Sequence, residues 1–297
     1  MSERVDTKTA FPALVDVDWL HANLGQPDLV VLDASWHMPD QNRDGEQEWR
    51  QQRIPGARFF DFDRRICQTD TDLPHMLPDA ASFAAEVRKL GVHQDSRVVV
   101  YDTHGLFSSP RAWWMFRAMG HTAVAVLDGG LPAWQRRGLA LEQGEPAAVN
   151  TTGNFVAQLQ PQWLTTLEQV QAGLEVAKGA RLVDARPAER FYAEVDEPRP
   201  GLLRGHIPGS LNLPLTALKT EQGYLRSVPE LQAAFTALGL DDPRQSLVFS
   251  CGSGVAACGL ALAADLLGYR QLSVYDGSWT EWGQPHRGLP VVPAYSR

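Results

Sequence analysis

Cysteine is scarce in this 297-residue chain: only Cys67, Cys251 and Cys258 are present. An odd, sparse set does not make a disulfide scaffold and fits a reduced, cytosolic setting. Long apolar runs are missing too. The longest, roughly residues 254–268, is short and contains Asp265, so no membrane span is expected. The opening residues, MSERVDTKTAFPALV, lack the apolar core of a secretion signal, and a cytoplasmic protein is expected. No Lys/Arg run stands against the net charge of −8, which makes nucleic acid and anionic membrane poor partners. The eight histidines show neither HExxH nor paired Cys/His spacing, so no metal is implied. A G-x-x-x-x-G-K-[ST] loop and a dinucleotide fingerprint are also absent, and no cofactor is expected.

What the chain does have is a repeat. VVLDASW (30–36) resembles RLVDARP (181–187), and RIPGARFFDFD (53–63) resembles HIPGSLNLPLT (206–216). RVVVYDTHG (97–105) matches SLVFSCGSG (246–254), LDGGLPAW (127–134) matches YDGSWTEW (275–282), and RRGLAL matches HRGLPV. Five blocks in one order at nearly constant spacing mean a duplicated domain. The join falls near a polar stretch rich in Gly, Pro, Asn and Thr. This gives a first domain over 1–147, a linker over 148–160 and a second domain over 161–297.

Short apolar, often β-branched runs predict strands at 29–32, 97–101 and 123–127, and in the second half at 181–184, 247–250 and 271–275. Helical patterns cover 80–90, 110–119, 229–238 and 255–267. Such alternation predicts an α/β fold, each half a mainly parallel sheet with helices on both faces.

The two halves differ at one turn. FSCGSGVAACG (249–259) places Cys251 at the end of a strand, in a glycine-rich loop that opens a helix; the first half has Asp102 there. Unpaired N–H groups and the helix dipole at such a turn favour an anion, so they favour a reactive thiolate. The alternative reading is a buried apolar cysteine in a plain turn. Cys-based phosphatase chemistry requires an Arg after five intervening residues, where this chain has Ala257.

CGSGV followed by a helix, GHIPG before it, YDGSWTEW after it and a non-thiol first half together resemble a two-domain rhodanese-type sulfurtransferase, closest to the 3-mercaptopyruvate branch. The resemblance covers about residues 11–293. It implies two tandem rhodanese-like domains, of which the second is catalytic. It also implies that Cys251 takes sulfur from 3-mercaptopyruvate as a persulfide, releases pyruvate and passes the sulfur on. Gly252, Ser253, Gly254 and Val255 would form the cradle around that sulfur. Where the family has Thr after the Val, this chain has Ala256. The implied acceptors are thioredoxin, glutathione, another thiol or cyanide, and a monomer is the default.

Thiosulfate-using relatives carry basic side chains directly after the Cys. Gly252 and Ser253 are neutral, which favours mercaptopyruvate and leaves thiosulfate-to-cyanide transfer as the alternative. The family's two substrate-binding arginines match Arg190, before Phe191, and Arg199, after Glu197-Pro198. Without that match, surface ion pairs with Glu189, Glu194, Asp196 or Glu197 would explain them, and Arg186 reads as structural. The same branch has a Ser-His-Asp set, for which Ser253, His75 and Asp63 are the candidates, with Asp61 second for the acid. One extra residue between the matching ends FFDFD and HMLP bears on whether His75 reaches Ser253. Cys67 and Cys258 read as packing thiols, and Trp36 as a wall of the site.

Overall fold

The computed structural model describes residues 11–149, 151–175 and 179–293. The polar segment over residues 1–10, on which the cytoplasmic expectation leaned, lies outside the described residues, as do residue 150 of the expected linker and the last four residues. The first half runs β1 (Leu14–Val15), α1 (Val17–Asn23), β2 (Leu29–Asp33), α2 (Gly45–Gln51), β3 (Arg58–Phe59), α3 (Ala80–Lys89), β4 (Arg97–Tyr101), α4 (Ser109–Ala118), β5 (Val124–Leu127) and α5 (Gly130–Arg136). The second half repeats the order: β6 (Leu164–Thr165), α6 (Leu167–Glu175), β7 (Arg181–Asp184), α7 (Ala188–Phe191), β8 (Leu211–Asn212), α8 (Val228–Thr236), β9 (Leu247–Ser250), α9 (Val255–Leu266), β10 (Leu272–Tyr275) and α10 (Ser278–Trp282).

Each half folds into a five-stranded sheet, in order β1-β5-β4-β2-β3 and β6-β10-β9-β7-β8, with every pairing parallel. The two orders are the same once the second is counted from β6, which is what a duplicated domain requires. The central strands are buried, as all-parallel sheets under helices must be: Val98, Val99 and Val100 of β4 have no exposed surface. Several helix starts follow from local chemistry. Asp16, Asp44 and Asp79 each accept backbone N–H bonds at the heads of α1, α2 and α3, and Ser227 with Glu230 forms a capping box on α8.

α4 and α9, the helices that follow the two equivalent loops, pack on each other across the domain boundary. One apolar cluster therefore runs through both halves, from Val98, Trp113 and Phe116 to Phe249, Leu260 and Leu262. Two of the bonds between the halves mirror each other. Leu77 N–H donates to Asp276 Oδ2 at 2.7 Å, and Leu225 N–H donates to Asp128 Oδ1 at 2.8 Å. These two pairs are equivalent under the repeat. Residues 153–160 lie along the first domain, with Phe155 fully buried and Gln160 N–H donating to Ala118 O at 2.7 Å. Among the described residues no helix is long and apolar enough to cross a membrane.

Candidate active site

Cys251 follows β9 at the carboxyl end of the parallel strands, where open α/β sheets bind their ligands. Its thiol is buried at 3% exposure. The loop after it is tied down by its carbonyls: Trp279 N–H donates to Cys251 O at 3.0 Å and Thr280 N–H to Gly252 O at 2.8 Å. Gly254 O accepts from Cys258 Sγ at 3.1 Å and from Arg111 Nη1 at 3.4 Å. With the carbonyls held outward, the N–H groups of Gly252, Ser253, Gly254 and Val255 donate to no protein oxygen among the described residues. Gly254 caps α9 at φ 78°, and a Cβ there would lie 2.8 Å from Asp276 O and 2.9 Å from Arg111 Nη1. At Gly252 a Cβ would lie 3.0 Å from Arg190 Nη2.

The first domain brings a histidine and an aspartate to this loop. His75 Nδ1 lies 2.6 Å from Asp63 Oδ1, and its Nε2 lies 2.8 Å from Ser253 Oγ. The extra residue in the 63–75 loop does not keep these groups apart; Gln68 N–H donates to Met76 O at 2.9 Å and closes the loop. Asp61, the second candidate, instead caps Arg64 N–H at 3.0 Å and faces Arg65. His75 sits at φ 43°, a left-handed conformation uncommon outside glycine, with its carbonyl taken by Arg111 Nη2 at 2.6 Å. Trp36 and Phe62 pack edge-on against its ring.

Burial pushes the His75 imidazole down from its ordinary value, against the opposing pull of the Asp63 hydrogen bond. Burial works to raise the Asp63 carboxyl, but the His75 hydrogen bond and the Trp36 side chain outweigh it and hold it below the usual carboxylate range. A neutral ring beside an ionised acid has one arrangement: Nδ1–H donates to Asp63, and Nε2 accepts from the Ser253 hydroxyl.

The arginines divide the work unequally. Arg186 is fully buried, paired with Asp184 at 2.7 Å and Glu197 at 2.8 Å, and stacked over Trp279. Arg190 Nη2 also bonds Glu197, at 2.5 Å. Arg199, half-buried, has no hydrogen-bond or ion-pair partner among the described residues. Burial pulls it below the usual guanidinium value, yet guanidinium stays charged at any working pH. A cavity of 290 Å³ joins Cys251, Gly252, Ser253, Val255 and Ala256 to Arg190, Arg199 and Trp36.

The equivalent loop of the first domain is already filled. Asp102, in the place of Cys251, accepts N–H bonds from His104, Phe107, Ser108 and Ser109 at 2.8–2.9 Å, and the Ser109 hydroxyl at 2.7 Å. Its own carboxylate occupies the anion position, whereas the second loop leaves its amides open.

Sequence reasoning missed three residues that set this geometry. Arg111, from α4, pairs with Asp276 at 2.5 Å and reaches both Gly254 O and His75 O, so one buried guanidinium ties the Cys251 loop to the His75 loop. Asp276 also takes Leu77 N–H. Ser278 Oγ accepts the Cys251 N–H at 3.2 Å. The duplicated LDGG/YDGS block pointed at Asp276 by its position; a lone arginine on an apolar helix carries no such signal. Among the described residues no group of His, Cys, Asp and Glu is placed to hold a metal.

Comparison with known proteins fits this arrangement. The rhodanese-like domain family matches twice, at residues 16–137 and 166–285. A 3-mercaptopyruvate sulfurtransferase from Escherichia coli is 45% identical over 280 residues, covering 94% of this chain and 97% of the relative. The human 3-mercaptopyruvate sulfurtransferase is 43% identical over 289 residues, covering 94% and 95%. The crystal structure of SseA from Escherichia coli, described as a 3-mercaptopyruvate sulfotransferase, superposes with a TM-score of 0.81 at 41% identity, covering 91% of this chain and 100% of that one. The chain belongs to the two-domain rhodanese-type sulfurtransferases. Within them it is a homologue of the 3-mercaptopyruvate sulfurtransferases.

Proposed function

We propose that Cys251 carries the sulfur in the 3-mercaptopyruvate sulfurtransferase reaction of this chain, and that the first domain supplies the proton relay. The observation that carries this reading is the pairing of an open amide loop around a cavity-lining thiol with a guanidinium on the same cavity, Arg199, that has no partner among the described residues. The donor has one carboxylate and one thiol. Arg199, seconded by Arg190, takes the carboxylate in a charge-assisted bond. The Cys251 thiolate then attacks the donor sulfur.

The new S–S bond forms as the donor's C–S bond breaks, and that electron pair stays on carbon as the enolate of pyruvate. The donor's thiol proton passes to Ser253 Oγ as the serine proton moves to His75 Nε2, with Asp63 holding the ring. The proton returns to the enolate carbon, pyruvate leaves, and the persulfide anion remains in the ring of amides formed by Gly252, Ser253, Gly254 and Val255. In a second step the outer sulfur goes to a thiol such as glutathione or thioredoxin, or to cyanide.

Steady-state kinetics with two donors tests the assignment. Turnover should favour 3-mercaptopyruvate over thiosulfate, because the loop has no cation for a second negative charge. Arg199→Gln should raise KM for mercaptopyruvate about tenfold or more, the worth of one charged hydrogen bond. A preference for thiosulfate, or an unchanged KM in that variant, contradicts the reading.

A further inference from the structure

One cation on the Cys251 cavity, Lys219, has no task in the donor step. Lys219 closes the short helical turn Leu215–Leu218, and its side chain lines the cavity beside Leu215 and Thr216. It is half-buried, and among the described residues no carboxylate or hydrogen-bond acceptor pairs with it. Two acids lie nearby. Asp102 is the one that acts on it electrostatically, but that carboxylate is spent on four backbone N–H groups and a hydroxyl. Asp40, exposed on the cavity rim, makes no ion pair with it. Burial pushes the ammonium below the usual lysine value, against the opposing pull of the Asp102 charge.

Holding an ammonium partly out of water without a directly paired acceptor is unfavourable, and a bound anion would lower that cost. The donor's single carboxylate is met by Arg199 and Arg190 from a different segment of the wall. The cavity, at 290 Å³, is vacated when pyruvate leaves, so a second small molecule can enter it in turn.

We infer that Lys219 is the recognition point for the sulfur acceptor, and that the acceptor it selects is a small thiol bearing a carboxylate. This rests on the assignment of Cys251 as sulfur carrier. With its carboxylate on Lys219, the acceptor's sulfur attacks the outer sulfur of the Cys251 persulfide. The bond between the two persulfide sulfurs breaks, its electron pair stays on Sγ as the cysteine thiolate, and the acceptor's thiol proton ends on the transferred sulfur. An enzyme persulfide anion and a thiol thus become an enzyme thiolate and an acceptor persulfide, with no outside oxidant.

The test uses full-length protein loaded with 3-mercaptopyruvate, with the Cys251 persulfide measured first by mass spectrometry. Its discharge is then followed in a single turnover with 3-mercaptopropionate, which carries a carboxylate, or with 2-mercaptoethanol, which does not. Lys219→Met keeps the length of the side chain and removes the charge. It should raise the concentration of 3-mercaptopropionate needed for half-maximal discharge about tenfold, leave 2-mercaptoethanol unaffected and leave donor loading unchanged. Lys219→Arg should recover most of the loss. Equal effects on both acceptors, no effect on either, or a raised KM for mercaptopyruvate overturns the inference while leaving Cys251 in its role. Wild-type protein that acquires no persulfide at Cys251 overturns the carrier assignment and this inference with it.

Discussion

At the scale of single residues, the site depends on which groups stay uncharged. His75 is buried by Trp36 and Phe62 and faces an ionised Asp63, so its Nε2 keeps a lone pair for the Ser253 hydroxyl. A folded-state value below the ordinary 6.5 means that the ring resists protonation where a free imidazole would accept it. Under this account, the rate of pyruvate release in the first turnover stays level as pH falls through 6.5 and drops only below it. A drop centred at or above 6.5, or an unaltered profile in His75→Ala, contradicts the relay. The sign carries over to stability: the unfolded chain binds the proton first, so this residue's contribution is full above 6.5 and is lost as pH falls below it. Cys251 stood out by its loop, while Arg190, Arg199 and Ser253 were expected only through the family resemblance; all four line one cavity. That Glu197 is shared by Arg186 and Arg190, while Arg199 has no partner among the described residues, was not legible, because four nearby acids offered equally plausible partners in the sequence.

At the scale of elements, the long periodic segments were read to within a residue or two. The expected helix at 110–119 is α4 (Ser109–Ala118), and the expected strand at 97–101 is β4 itself. The two-residue strands β1, β3, β6 and β8 went unread, as did the short helices α1, α2, α5, α7 and α10 and the nine-residue α6. A two-residue strand shows no alternation, and a helix of one or two turns offers too few positions to define a face. α4 carries more than packing. Its Arg111 crosses the boundary to Asp276 and fixes Gly254 and His75, so the relay from one domain meets the serine of the other. Arg111→Met leaves Asp276 buried at 3% exposure and without its cation. Breaking one side of such a pair costs about 3–5 kcal/mol. Urea unfolding should report a loss of that size, together with a slower donor half-reaction. A loss below about 1 kcal/mol, the range of an exposed pair, would show that Arg111 is not the clamp described.

At the scale of the molecule, duplication explains the division of labour. The same sheet order, the same loop position and the exchanged Asp128–Leu225 and Asp276–Leu77 bonds make the halves near-equivalent partners across a shared core. One half closed its loop on Asp102, and the groups that reach the neighbouring loop, His75, Asp63 and Arg111, all come from that half. The repeat, the lost cysteine and the two-domain plan were all visible in sequence. The meeting of His75 with Ser253 was expected only through the family resemblance, because a contact 178 residues apart leaves no local pattern.

The most direct test is the mass of each cysteine-containing peptide after brief exposure to 3-mercaptopyruvate. The account predicts one added sulfur on the peptide holding Cys251, none on Cys67 or Cys258, and none anywhere in Cys251→Ala. Sulfur on either of the other thiols, or pyruvate release that persists in Cys251→Ala, would contradict it.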